Sequence, residues 1–191
     1  MQRSPGRNRS DGLGLFLQKE MAQAFVRIEF AAGSYDEPSR AASQLFNEYF
    51  GGGMAGLVFQ ELREARALAY TAWGHYFPAT RPDDENLLVG FIACQPDKTI
   101  EAVKTFLGLM EEMPIDQKRF ENAHQAVESI YRTSNVPFRG VPGVVREWER
   151  LGLEQDPREK RFPVIKDATI ETLEGFYKKH IQPRPKLISI V

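Results

Sequence analysis

The chain has 191 residues, 42% of them apolar, which suits one compact domain, or a large piece of one, with a substantial core. Its formal net charge is −1, with both signs spread along the chain, so nothing in its electrostatics favours nucleic acid or an anionic membrane as a partner. No apolar run approaches the roughly 18 residues of a membrane helix, and the sequence assigns no compartment, cytoplasm and bacterial periplasm both being compatible with it.

Residues 1–12 (MQRSPGRNRSDG) are polar and basic, without the apolar core of a signal peptide, and read as a flexible leader or linker. Residues 13–191 read as a single domain. Leu15 and Leu17 hint at a short strand. Ala22–Phe30 alternates as a half-buried strand does, and Ala31, Ala32 and Gly33 are expected to end it. Asp36 and Pro38 signal a helix start. Apolar residues at 41, 42, 45, 46, 49 and 50 then predict a helix over 39–50, stopped by Gly51-Gly52-Gly53.

A second helix is predicted over about 55–65, with Leu57, Val58 and Leu62 inward. Leu68–Phe77 is aromatic-rich and alternating, Pro78–Asn86 is a turn, and Leu87–Cys94 is an apolar strand, central in a sheet. The pair is expected to form an antiparallel hairpin. Asp97 is a candidate N-cap for a helix carrying Ile100, Val103, Phe106, Leu107 and Met110. Asp116 can cap the next, which carries Phe120, Ala123, Val127, Ile130 and Tyr131. Residues 133–143 form a bent connector, 144–153 a helix, and Thr169 caps a last helix with Ile170, Leu173, Phe176 and Tyr177 inward. Lys186–Val191 closes as a strand. The resulting class is α+β: an antiparallel sheet with helices packed mainly on one face.

Several chemistries are missing from the sequence. Neither H-x-x-E-H nor H-E-x-x-H occurs, and the histidines (His75, His124, His180) are scattered. His124 and Glu128 sit four apart on one helix, too few for a catalytic zinc site. His75 lies in a strand, where it reads as a packing or solvent-facing residue, and His180 ends a helix, where positive charge is favourable. There is no G-x-S-x-G elbow and no phosphate-binding glycine loop. Cys94, the only cysteine, stands in an apolar run and reads as a buried, inert thiol. Trp73 and Trp148 read as core or interface residues.

Leu45–Tyr70 reads LFNEYFGGGMAGLVFQELREARALAY. This stretch resembles the insulinase/pitrilysin-type zinc metallopeptidases, through Gly51-Gly52-Gly53-Met54, Phe59-Gln60-Glu61, Arg63-Glu64 and Leu68-Ala69-Tyr70. The rest of the chain from Ala22 follows that family's element order more loosely. The resemblance implies a metallopeptidase LuxS/processing-peptidase-like fold and a non-catalytic, C-terminal-type domain over 13–191. It also implies that zinc, its ligands and the general base lie in a partner domain or subunit, and that this chain alone is inactive. Arg63 and Tyr70, seven apart, match the family's Arg/Tyr pair, which stabilises a peptide substrate at the zinc site across a chamber. Gly51, Gly52 and Gly53 match a loop that family members use near substrate, although a helix C-cap by itself accounts for them. A late-helix Arg and a strand Tyr also have ordinary structural readings. The alternative on the same fold is a non-enzymatic scaffold or binding subunit.

Overall fold

The structure, a computed structural model, describes residues 13–17, 22–182 and 187–191. The leader expected over 1–12 lies outside them. Five strands form one sheet in the order β1-β5-β2-β4-β3. They are β1 (Leu13–Phe16), β2 (Ala24–Ser34), β3 (Ala69–Phe77), β4 (Glu85–Cys94) and β5 (Leu187–Ile190). The β3–β4 hairpin, β4–β2 and β2–β5 are antiparallel; β1 joins the edge by pairing parallel to β5. The α+β class holds, with an otherwise antiparallel sheet.

β2 runs longer than its sequence suggested. Ala31, Ala32 and Gly33 do not end it but carry an irregularity in its pairing with β4, where Gly33 takes a φ of +89° and Ala32 is fully buried. Small residues here bend the strand instead of stopping it.

Alternation sorts the sheet into two faces. Val26, Ile28, Phe30, Ala32, Ala72, Tyr76, Leu88 and Ile92 point inward and are buried. Over them lies α1 (Arg40–Gly51), with Phe46, Tyr49 and Phe50 fully buried. Each such side chain contributes about 1.5–3 kcal/mol of burial. Phe106 of α3 (Thr99–Glu111) meets Phe50 edge-on at 5.9 Å, and Phe176 of α7 (Ile170–His180) meets Phe46 at 5.4 Å. The opposite side of α1 presents Ala41 and Leu45 to Val127 of α4 (Gln117–Thr133) and Ile165 of α6 (Pro157–Lys166), a second, smaller core. Helix α5 (Val141–Arg150) contributes no buried residue.

Four further expectations shift. Asp97 is not a cap: it lies in a 3₁₀ turn, Pro96–Lys98, that precedes α3. The inner stripe of α3 therefore runs through Thr99, Ala102, Val103, Phe106, Leu109 and Met110, leaving Ile100 63% exposed. Ile130 of α4 is likewise exposed. Helix α6 was absent from the sequence reading because Pro163 interrupts its pattern; Asp156 caps it, accepting from the Arg158 amide. Asp116 caps α4 by accepting from the Arg119 amide at 2.7 Å, and Thr169 with Thr172 forms a capping box on α7.

The free edge of the sheet at β3 is blocked by a side chain. Asn47 of α1 accepts from the Tyr76 amide at 2.7 Å and donates to the Tyr76 carbonyl at 2.9 Å, as a neighbouring strand would.

Candidate functional site

Arg63 and Tyr70 line one surface cavity of about 440 Å³, together with Ala67, Leu68, Ala69, Gln95 and Lys98. The backbone that brings the pair together departs from regular structure three times within a dozen residues. Helix α2 (Leu57–Phe59) begins as an α-turn and continues over Gln60–Ala65 as a π-helix, where a regular helix was expected. Each i→i+5 turn winds less per residue than an α-turn. After Leu62, which is fully buried, Arg63, Glu64, Ala65, Arg66 and Ala67 are all exposed.

The helix then closes in a widened left-handed cap. The Ala67 amide donates to the Arg63 carbonyl at 3.1 Å and the Leu68 amide to the Leu62 carbonyl at 2.8 Å. Ala67 itself takes a φ of +49°, the only positive value at a non-glycine among the described residues. Leu68 and Ala69 drop back into the core. Tyr70 is then the extra residue of a β-bulge: β3 pairs Ala69 with Cys94 and Thr71 with Ala93, leaving Tyr70 without a partner residue on β4. Its side chain is 50% exposed. Arg63 lies over the Phe59 ring at 4.8 Å and pairs loosely with Glu64 at 3.7 Å, an exposed contact worth little. π-turns, bulges and left-handed non-glycines cost energy and cluster at functional sites.

Sequence reasoning missed Lys98 and Gln95. The signal was the hairpin register, since Cys94 beside Ala69 carries the residues following β4 to the start of β3. Lys98 donates to the Ala67 carbonyl at 3.0 Å.

Two of the three candidate glycines have packing roles. A Cβ on Gly51 would lie 1.8 Å from the Gly74 carbonyl oxygen, so the bare Cα lets α1 rest against β3. A Cβ on Gly52 would meet the Glu48 carbonyl at 2.1 Å, the cost of ending α1 tightly. Gly53, with φ +58° and nothing within 4 Å, faces open space beside the exposed Met54.

The sheet face away from the helices extends from the bulge. Trp73 stacks on Phe91 at 5.8 Å and Phe91 on Phe25 at 6.1 Å, with Phe77 half-exposed further along β3. His75 shares this strand, 3.3 Å from the Asn47 amide nitrogen, and burial holds its pKa below the ordinary imidazole value. His124 is 2.7 Å from the Ile165 carbonyl, and Glu128 is taken by Arg132, so these two do not form a pair. His180 ends α7 as expected and is buried there, stacked on Phe176 at 4.7 Å. Cys94 is fully buried against Thr99. Among the described residues no three His, Cys, Asp or Glu side chains converge to hold a metal, and no helix is long and apolar enough to cross a membrane.

A second cluster lies between α1 and α6. Arg161 donates two hydrogen bonds to Glu37, each 2.7 Å, and Tyr35 donates to the same carboxylate. Burial and the Glu37 bond push the Tyr35 hydroxyl up to about 12.

Residues 5–127 match the family model for the peptidase M16 inactive domain. No curated protein sequence matches. Among solved structures, the peptidase M16 inactive domain from Pseudomonas fluorescens superposes with a TM-score of 0.78 at 17% identity, covering 94% of this chain and 43% of that one. A protease from Helicobacter pylori follows with a TM-score of 0.74 at 12% identity, covering 94% and 44%. The inactive peptidase domain of a proposed zinc protease from Bordetella parapertussis gives 0.70 at 14%, covering 89% and 93%. The chain therefore spans less than half of the first two and nearly all of the third. With its family model matched over more than half its length and the expected fold in place, the chain belongs to the peptidase M16 inactive-domain family, the insulinase/pitrilysin-type group that Leu45–Tyr70 resembled.

Proposed function

We propose that this domain is the substrate-stabilising half of a zinc endopeptidase, supplying Arg63 and Tyr70 to peptide held at a zinc site in an H-x-x-E-H-bearing partner domain or subunit. The observation that carries this reading is the single cavity lined by both residues, built by a π-helix, a left-handed Ala67 and a β-bulge that together set their spacing. The described residues here offer no ligand set for the metal, and zinc in the partner would supply the activated water. When a peptide carbonyl is attacked, negative charge builds on its oxygen. The guanidinium of Arg63 and the hydroxyl of Tyr70 are hydrogen-bond donors suited to that charge or to the adjacent peptide backbone. Thr71, Trp73 and Phe91, which continue from the bulge across the open sheet face, would form an apolar wall for the rest of the peptide. Of the three candidate glycines, Gly53 has room beside it for a substrate chain, while Gly51 and Gly52 act through packing.

The test is cleavage of a fluorogenic peptide after mixing this chain with the separately produced zinc-motif half. Activity should appear only on mixing. Tyr70→Phe and Arg63→Ala should each lower kcat about 10²- to 10³-fold. Rates indifferent to both variants would move the domain to a scaffold or binding role.

A further inference from the structure

We propose that Lys98, beside Arg63, makes the cavity next to Tyr70 a carboxylate-binding subsite, so that the assembled enzyme favours peptides carrying an acidic group near the cleaved bond. The inference rests on the substrate-side placement of Tyr70 proposed above and adds a specificity to it.

The cavity wall is mostly apolar, Ala67, Leu68 and Ala69 contributing to it, yet Arg63 and Lys98 also line it and no Asp or Glu does. Lys98 is partly buried there, and its ammonium bonds a neutral carbonyl, that of Ala67, at 3.0 Å. No carboxylate comes within ion-pair distance of Lys98 among the described residues. An ammonium has three donors, so two N–H directions and the full charge remain for a ligand. Arg63 adds a second cation whose link to Glu64 is long, at 3.7 Å. Gln95 supplies a neutral amide at the same rim.

The ammonium is also held in place. The left-handed backbone of Ala67 turns its carbonyl toward Lys98, and that bond restricts a side chain that would otherwise sample many rotamers. A pre-positioned charge in a partly apolar recess binds an anion better than a free surface lysine does. The carboxylate could come from an Asp or Glu side chain within the peptide or from the peptide's own C-terminus. Both place two oxygens where Lys98 and Arg63 can donate.

The experiment uses this chain assembled with its zinc-motif half. It reads both kcat/KM and the Kd of labelled peptides by fluorescence anisotropy, so an assembly that binds without cleaving still gives an answer. One arm compares Glu with Gln at each position flanking the cleaved bond in C-terminally amidated peptides. The other compares free-acid with amidated ends in otherwise neutral peptides. We expect about a tenfold preference for the acid in one arm, which identifies the source. Lys98→Arg should keep it, Lys98→Met should abolish it, and Lys98→Glu should reverse it toward basic peptides. No preference in the parent, no measurable peptide binding, or a preference untouched by Lys98→Met would each overturn the proposal. A merely structural role for Lys98 would slow all peptides equally and leave the ratio unchanged, which also overturns it. Tyr70→Phe separates the two readings: if it leaves rates unchanged while the preference follows Lys98, the transition-state role falls and the subsite stands.

Discussion

Replacing Gly51 with alanine asks whether that glycine serves the fold or the substrate. The new Cβ would lie 1.8 Å from the Gly74 carbonyl oxygen and 3.0 Å from its carbon. An ordinary carbon–oxygen contact is about 3.3 Å or more, so α1 and β3 must separate by roughly 1.5 Å. A main-chain oxygen cannot rotate out of the way as a side chain could. The helix that must move carries Phe46, Tyr49 and Phe50, all fully buried. A gap of only ~0.5–1 Å already forfeits a quarter to a half of each dispersion contact. Overpacking of this kind costs about 1–3 kcal/mol or more, against about 0.4–1 kcal/mol recovered from the lower entropy of the unfolded chain. At the upper end of that range, a net loss of about 2 kcal/mol should lower Tm by about 4–8 °C in a chain of this size. Gly53→Ala is the control: with φ +58° and open space around it, it meets only the backbone penalty, about 1–2 kcal/mol before the same entropy gain. Calorimetry or circular dichroism melting of both variants decides. A Gly51→Ala protein that melts with the parent, or above Gly53→Ala, would refute the packing argument and return Gly51 to the substrate side.

Asn47→Ala should cost about 1–3 kcal/mol in urea unfolding, because it removes two hydrogen bonds to the Tyr76 backbone at the sheet edge. Hydrogen exchange at the Tyr76 amide should accelerate; an amide that stays protected would contradict the assigned bond. Stability should fall with acidity in two stages. The His75 pKa is depressed by burial, so the unfolded chain takes up a proton first and stability declines as pH drops below about 6.5. Glu37 is held below its usual value, burial opposing and the bonds from Arg161 and Tyr35 outweighing it, so its contribution is present above the usual carboxylate range and lost below about 4.5. His75→Gln should remove the upper stage of a Tm-against-pH curve and leave the lower one; a curve unchanged by it would refute the assignment.

How much of this was legible in the sequence varied with the range of the cause. The helix over α1, the β3–β4 hairpin and the caps at Asp116 and Thr169 follow from local periodicity and side-chain oxygen chemistry, and these readings held closely. The Arg63/Tyr70 pair was legible as a motif, but its geometry was not. A π-helix keeps the same apolar residues inward (Leu57, Val58, Leu62) as an α-helix of that length, so periodicity cannot tell them apart. Ala31–Gly33 looked like a terminator because the same small residues that end a strand also permit a bulge. Lys98 was invisible because its importance comes from the register between β3 and β4, which juxtaposes residues some thirty positions apart. Gly51 was visible as a cap and hidden as a contact, since the atom it makes room for belongs to Gly74.

The position of Ala67 shows what holds the site together. A left-handed alanine costs about 1–2 kcal/mol that a glycine would not, yet this position is not a glycine. The turn must therefore be held by what lies on either side of it. Leu68 is almost fully buried, worth about 1.5–3 kcal/mol. Lys98 adds a hydrogen bond to the Ala67 carbonyl, worth about 0.5–1.5 kcal/mol. These contributions together exceed the strain, so the turn can persist without glycine. A glycine there would relieve the strain but also broaden the accessible backbone, letting Arg63 and Tyr70 drift relative to each other. For two donors proposed to meet one developing charge, a fixed spacing matters more than a relaxed one. The same Lys98 bond that fixes the spacing also points an ammonium into the cavity, so placement of the Arg/Tyr pair and the proposed recognition of a carboxylate depend on one side chain.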